Sequence, residues 1–174
     1  MLTSSQIATT AVAALLGLGT LGSYVPLITD QVKGTYDYWL GFPQSNRTMF
    51  YVFQVFAAAG FLTFFADYLK SAPAEQGLLS HSPAIVPVVV GVLLAACLIW
   101  GIGIVQYMRA PSSWLKWMVA GSLVITGLCS ILLLAGYAET KEPKWYVLLG
   151  LLLFSIVTVL ADGVMWNARF ILNY

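Results

Sequence analysis

An aspartate set inside an apolar run is the group in this chain best suited to chemistry. The last such run, Trp145–Asn167, carries Asp162 near its far end, preceded by Ser155 and Thr158. A carboxylate at the centre of a bilayer costs at least about 2.5 kcal/mol by insertion scales, and less near the interface. Asp162 is therefore expected to take a partner from another helix, face water, protonate or bind a cation. Arg169 lies two turns further along, too far for a direct contact on one helix. A second carboxylate, Asp67, closes the run Thr48–Leu69 and precedes Lys70 by three residues, within ion-pairing reach on a helix. The ordinary reading of Asp67 is a wet, charge-paired helix end.

The two aspartates share their surroundings in sequence. Displaced by 95 positions, Tyr51-Val52 falls on Tyr146-Val147, and Thr63, Ala66 and Asp67 fall on Thr158, Ala161 and Asp162, five identities in seventeen ungapped positions. At about 100° per residue, Gly60, Thr63 and Asp67 line one face of their helix, and Ser155, Thr158 and Asp162 the equivalent face of theirs, with Gln54 opposite. The two helices run antiparallel, so the aspartates fall near opposite membrane surfaces. That is the layout of an inverted repeat, and equally of two unrelated helices with wet ends. Ser122, Thr126 and Ser130 form a further stripe, although such hydroxyls usually bond back to their own helix or to a neighbour. The candidate ion- or proton-binding residues are thus Asp162 and Asp67, with Thr158, Ser155, Thr63 and Ser130 as candidate polar lining.

Other chemistry has little to work with. His81 is the sole histidine and falls in a turn-rich loop without ligands at metal spacing, so neither a metal site nor another cofactor is expected. Cys97 and Cys129 lie deep in apolar runs and read as small buried hydrophobes. Asn46-Arg47-Thr48 matches a glycosylation sequon but abuts a span, and is read as a chance match. No nucleophile–base pair, Gly-rich phosphate loop, CxxC or HExxH occurs, so an enzyme is not expected. A net charge of +1, from eight basic and seven acidic residues, provides no face for nucleic acid.

The elements that would position these groups follow from composition. Of 174 residues 60% are hydrophobic and 9% charged, whereas about a quarter of a soluble domain is charged. Spanning roughly 30 Å of hydrocarbon takes about 20 apolar residues in a helix. Five runs qualify: Ile7–Tyr24, Thr48–Leu69, Ile85–Tyr107, Leu115–Tyr137 and Trp145–Asn167. The expected fold is an all-α, polytopic membrane protein, a single transmembrane domain of five bundled helices with short loops.

Met1–Gln6 lacks the basic residues of a cleaved signal, so the first run is expected to be retained as a span. Pro26 is expected to end it, and its small residues Gly17, Gly19 and Gly22 are expected to admit a neighbouring helix. The connection Pro26–Arg47, rich in Tyr, Trp and Phe, should lie along the interface; its functional alternative is a ligand lid or a docking surface. Lys33, Arg47, Arg109, Lys116 and Arg169 fall on one side, and Lys70, Lys141 and Lys144 on the other. That balance favours a cytoplasmic C-terminus.

Packing alone explains most of these features. The expected function is a non-catalytic packing or assembly subunit, with the lipid bilayer and other membrane subunits or copies of itself as partners. The alternative is a small channel or proton- or cation-coupled transporter that uses the intramembrane aspartates.

Overall fold

The computed structural model describes residues 2–39, 42–70 and 85–173. His81 and its loop therefore lie outside the described residues, as does the side chain of Asn46. The described residues form an all-helical bundle with five helices long and apolar enough to cross a membrane. They are α1 (Ser4–Lys33), α2 (Gln44–Lys70), α3 (Ile85–Arg109), α4 (Ser113–Ala138) and a final helix, Trp145–Asn173. The final helix has three parts: α5 (Trp145–Ile156), a π-helical stretch (Val157–Trp166) and α6 (Asn167–Asn173).

The first helix departs from expectation. Pro26 sits inside α1, which continues to Lys33 and ends at Gly34, whose left-handed φ of 68° lets its N–H reach the Asp30 and Gln31 carbonyls. Proline is tolerated within spanning helices, where neighbours and local adjustments satisfy the freed backbone. The extra turns shorten the first connection and bring Leu27 and Gln31 into the bundle. Thr3 caps the other end of α1 reciprocally with Gln6.

Side by side the helices run α1, α3, α4, final helix, α2. Small residues set the close crossings. A Cβ on Gly60 of α2 would lie 2.1 Å from the Gly150 carbonyl oxygen, so these backbones touch as only glycines allow. On α3, a Cβ on Gly101 would lie 2.1 Å from Ser23 Oγ, and Gly103 meets Met118 and Val119 of α4. Of the three α1 glycines expected to pack, Gly19 meets Leu98, whereas Gly17 and Gly22 face open space. The α1 surface that meets α3 is instead marked by Thr20, which donates to the Leu94 carbonyl at 3.2 Å, and by Ser23. Leu15, Leu18 and Leu21 face outward with Gly17 and Gly22.

Among the described residues, hydrogen bonds join α1 and α2 at one end only. There Gln6 Nε2 donates to the Tyr68 carbonyl at 2.9 Å, and the Ser5 and Tyr68 hydroxyls are 2.8 Å apart. At the other end the bundle holds a cavity lined by residues of both.

Gly60→Leu should push α2 off the final helix and lower stability by about 1–3 kcal/mol, the usual cost of overpacking. Gly22→Leu should leave it unchanged. Thermal unfolding of the two variants in the same detergent checks the contrast.

Candidate functional site

The two aspartates have opposite surroundings. Asp67, near the end of α2, is buried and fully engaged: Tyr137 of α4 donates its hydroxyl to Oδ2 at 2.7 Å, and Lys144 Nζ pairs with Oδ1. The cation is Lys144, supplied from just before α5, and not the expected Lys70. Thr63 donates to the Ala59 carbonyl at 2.8 Å and lines a shallow recess with Asp67, Lys70 and Lys144. This end of the bundle reads as a charge-paired clasp joining α2, α4 and the α4–α5 turn.

Asp162 lies about two turns inside Arg169, roughly 10 Å at the ordinary helical rise. No hydrogen bond or ion pair reaches its carboxylate among the described residues. Instead it borders the cavity between α1 and α2, which has a volume of about 190 Å³. Tyr24 of α1, Trp100 of α3 and Trp166 of the final helix share the cavity wall with it. Tyr24 and Trp100 have ring centroids 5.9 Å apart at 51°, and Trp100 and Trp166 stand edge to face at 5.7 Å. The three rings therefore make a corner, not a flat stack. Gln31 and Gln54 supply amides, and the Gln31 Oε1 and Trp100 Nε1 atoms are buried without a hydrogen-bond partner. Buried polar atoms in folded proteins nearly always have partners, so this region is short of them.

Tyr38, Trp39 and Tyr51 complete the wall on the side of the first connection. That connection is tied down from several directions. Arg47 Nε donates to the Phe42 carbonyl at 2.7 Å while its guanidinium pairs with Asp37 at 3.2 Å. Arg109 pairs with Asp30 at 3.2 Å, and Tyr38 donates to the same carboxylate at 2.8 Å. Burial, followed by that hydrogen bond to Asp30, holds the Tyr38 hydroxyl well above the usual phenol range, so it stays protonated and donating. Arg169 lies 4.4 Å over the Phe42 ring, a cation–π contact that takes it away from Asp162. Of the two readings of this connection, interfacial layer or ligand cover, its Tyr38 and Trp39 do line a cavity.

The expected polar lining divides. Thr158 donates to Ser130 Oγ at 2.7 Å and to the Phe154 carbonyl at 2.9 Å, and Ser130 donates to the Gly127 carbonyl at 2.7 Å. These hydroxyls fasten α4 to the final helix and do not line the cavity. Ser155 is buried nearby, its Oγ without a partner. Asp162 borders the cavity and Ser155 and Thr158 do not, although all three lie in or beside the π-helical stretch. In this stretch the Asn167 N–H reaches back five residues to the Asp162 carbonyl. Gly163 suits the widened turn, since a Cβ there would lie 3.1 Å from the Thr158 carbonyl. Such π-helical turns recur at functional sites. Asp67 and Asp162 do lie toward opposite ends, but one is on an α-helix and ion-paired, the other on a π-helix and facing a cavity.

The aromatic wall is not apparent from the sequence, where Tyr24, Trp100 and Trp166 read as belt or packing residues. One signal is present, since Trp166 comes four residues after Asp162. Among the described residues no group of three or more His, Cys, Asp or Glu could hold a metal ion. No protein-family model, curated protein or solved structure matches the chain.

Asp67→Ala should cost about 1–3 kcal/mol, because it strands the buried Tyr137 hydroxyl; Lys144 is half exposed and regains water. Asp162→Asn should leave stability unchanged or raise it, because it removes a carboxylate that no group among the described residues pairs. Melting temperatures of both variants against the parent test this difference between a structural and a functional acid.

Proposed function

We propose that the protein is a cation-binding membrane protein, a small carrier or channel in which Asp162 holds the cargo or coupling ion. The observation that carries this reading is the Asp162 carboxylate itself, inside a spanning helix, bordering a cavity and lacking a protein partner among the described residues. A carboxylate in that position has an electrostatic deficit that a bound cation or proton removes, which is why intramembrane acids so often mark ion paths. The reading assigns binding and passage, and no covalent step.

Asp67 has no part in ion binding here, because Lys144 and Tyr137 already occupy its oxygens. Its clasp keeps one end of the bundle shut while the other end holds the cavity. Thr158, Ser130 and Ser155 act in helix packing. The end near the cavity carries Arg47, Arg109, Lys116 and Arg169, and by the positive-inside tendency it faces the cytoplasm together with the C-terminus.

An assembly role is the second reading, and α1 supports it: Gly17 and Gly22 have open space beside them on an outward face with Leu15, Leu18 and Leu21. A second helix could approach such a face closely. Cross-linking and native mass spectrometry that recovered only monomers would remove that reading without touching the first.

Reconstituted in liposomes, the parent should pass protons or monovalent cations, alkali or organic, and Asp162→Asn should reduce that flux by about tenfold or more, the equivalent of about 1.4 kcal/mol of binding or barrier. Flux in the variant equal to the parent, or none in the parent with any of these ions, would overturn the cation reading.

A further inference from the structure

We infer that the Asp162 cavity is a seat for a small organic ammonium ion, with the carboxylate supplying the counter-charge and the rings of Tyr24, Trp100 and Trp166 the walls. The inference rests on the cation-binding reading and narrows it to one chemical class.

The lining decides the class. Hard inorganic cations shed their water only for a shell of oxygens, six or more for Ca²⁺ and Mg²⁺. The wall offers a single carboxylate, the two amides Gln31 and Gln54, and tyrosine hydroxyls spread among indole and phenol rings. A bare metal ion would be stripped of water and given too little in return. Alkylated ammonium ions have the opposite need. They are weakly hydrated, their charge is spread over methyl or methylene surface, and aromatic faces attract them, which is how quaternary ammonium groups are recognised in proteins.

The geometry suits such a ligand. Rings crossed at 51° and 76° enclose a corner and present faces in more than one direction. The cavity volume of about 190 Å³ is far beyond that of a bare ion, and a cavity of about 150 Å³ already holds a molecule the size of benzene. One carboxylate on the wall matches one positive charge. The flanking cations Arg47, Arg109 and Arg169 are held by Asp37, Asp30 and the Phe42 ring, so none of them fills the seat.

The same trimethylammonium chemistry occurs free in water and on the choline headgroup of a lipid, and the experiment separates the two. Purified protein in a non-ionic detergent is titrated with tetramethylammonium chloride by calorimetry, with sodium and potassium chloride as competitors. Saturable binding that neither salt displaces at equal concentration is expected, weakened about tenfold or more in Asp162→Asn and several-fold in Trp100→Leu. The sodium and potassium arms use only the parent protein, so the test stands even if a variant fails to fold. In phosphatidylcholine nanodiscs the affinity falls relative to nanodiscs of an uncharged galactolipid if the lipid headgroup is the natural occupant, and stays the same if a free amine is; either result supports the ammonium seat. Equal displacement by sodium or potassium, unchanged binding in a folded Asp162→Asn variant, or no saturable binding to the parent overturns it. Proton or sodium flux that depends on Asp162, with no tetramethylammonium binding, would defeat this inference and leave the cation reading of the protein standing.

Discussion

Polar groups in a lipid-embedded bundle must satisfy one another, because hydrocarbon offers them nothing. Most of this molecule obeys that constraint closely. Threonines and serines turn back to carbonyls of their own helices, Asn167 reaches the Ala120 carbonyl at 2.9 Å, and Gln6 reaches Tyr68. Asp67, the acid with most to lose from burial, is enclosed by a lysine and a tyrosine from other parts of the chain. Against that background the Asp162 carboxylate stands out as a charged group with no partner among the described residues and a cavity beside it, where Gln31 Oε1 and Trp100 Nε1 are also unpartnered.

The cavity results from how the helices are fastened. Contacts with no room for a Cβ join α2 to the final helix at Gly60 and Gly150, and α1 to α3 at Ser23 and Gly101. Tyr68 ties α1 to α2 at one end. Nothing comparable joins them at the other among the described residues, where α1 runs on past Pro26 and the first connection folds over the gap under three arginines. On the π-helical stretch Asp162 borders the cavity, while Thr158 bonds to Ser130 of α4. Each device is local, and together they leave one acid facing an aromatic-walled space.

Much of the architecture is legible in the sequence because the bilayer imposes length and composition on every span. All five runs are helices, the tail after Asn167 continues the last one, and Asp162 and Asp67 fall near opposite ends. The departures have physical causes. Pro26 reads as a helix end in water, where the broken backbone bond competes with solvent, but within a membrane the helix is retained. The α1 glycines give no means of telling a face that meets α3 from one that meets lipid, so Gly17 and Gly22 look the same as Gly19. A helical wheel gives a face and not its neighbours, so it groups Asp162 with Thr158 although Thr158 is taken up by Ser130 of α4 and Asp162 meets a cavity. Lys144 is hidden because its pairing with Asp67 spans 77 residues of chain, while Lys70 stands temptingly close. Tyr24 and Trp100 look like any other aromatic of a membrane helix, since only the fold brings them beside an acid.

Among the described residues the Asp162 carboxylate has no protein partner, which leaves it available to a cation. Infrared difference spectroscopy reads that carboxyl group directly, its band assigned by disappearance in Asp162→Asn. Adding tetramethylammonium should shift this band in the parent protein and produce no such shift in the variant. A band that stays in place under saturating ammonium, sodium and acid alike would show an aspartate already satisfied by the protein, and would contradict the account.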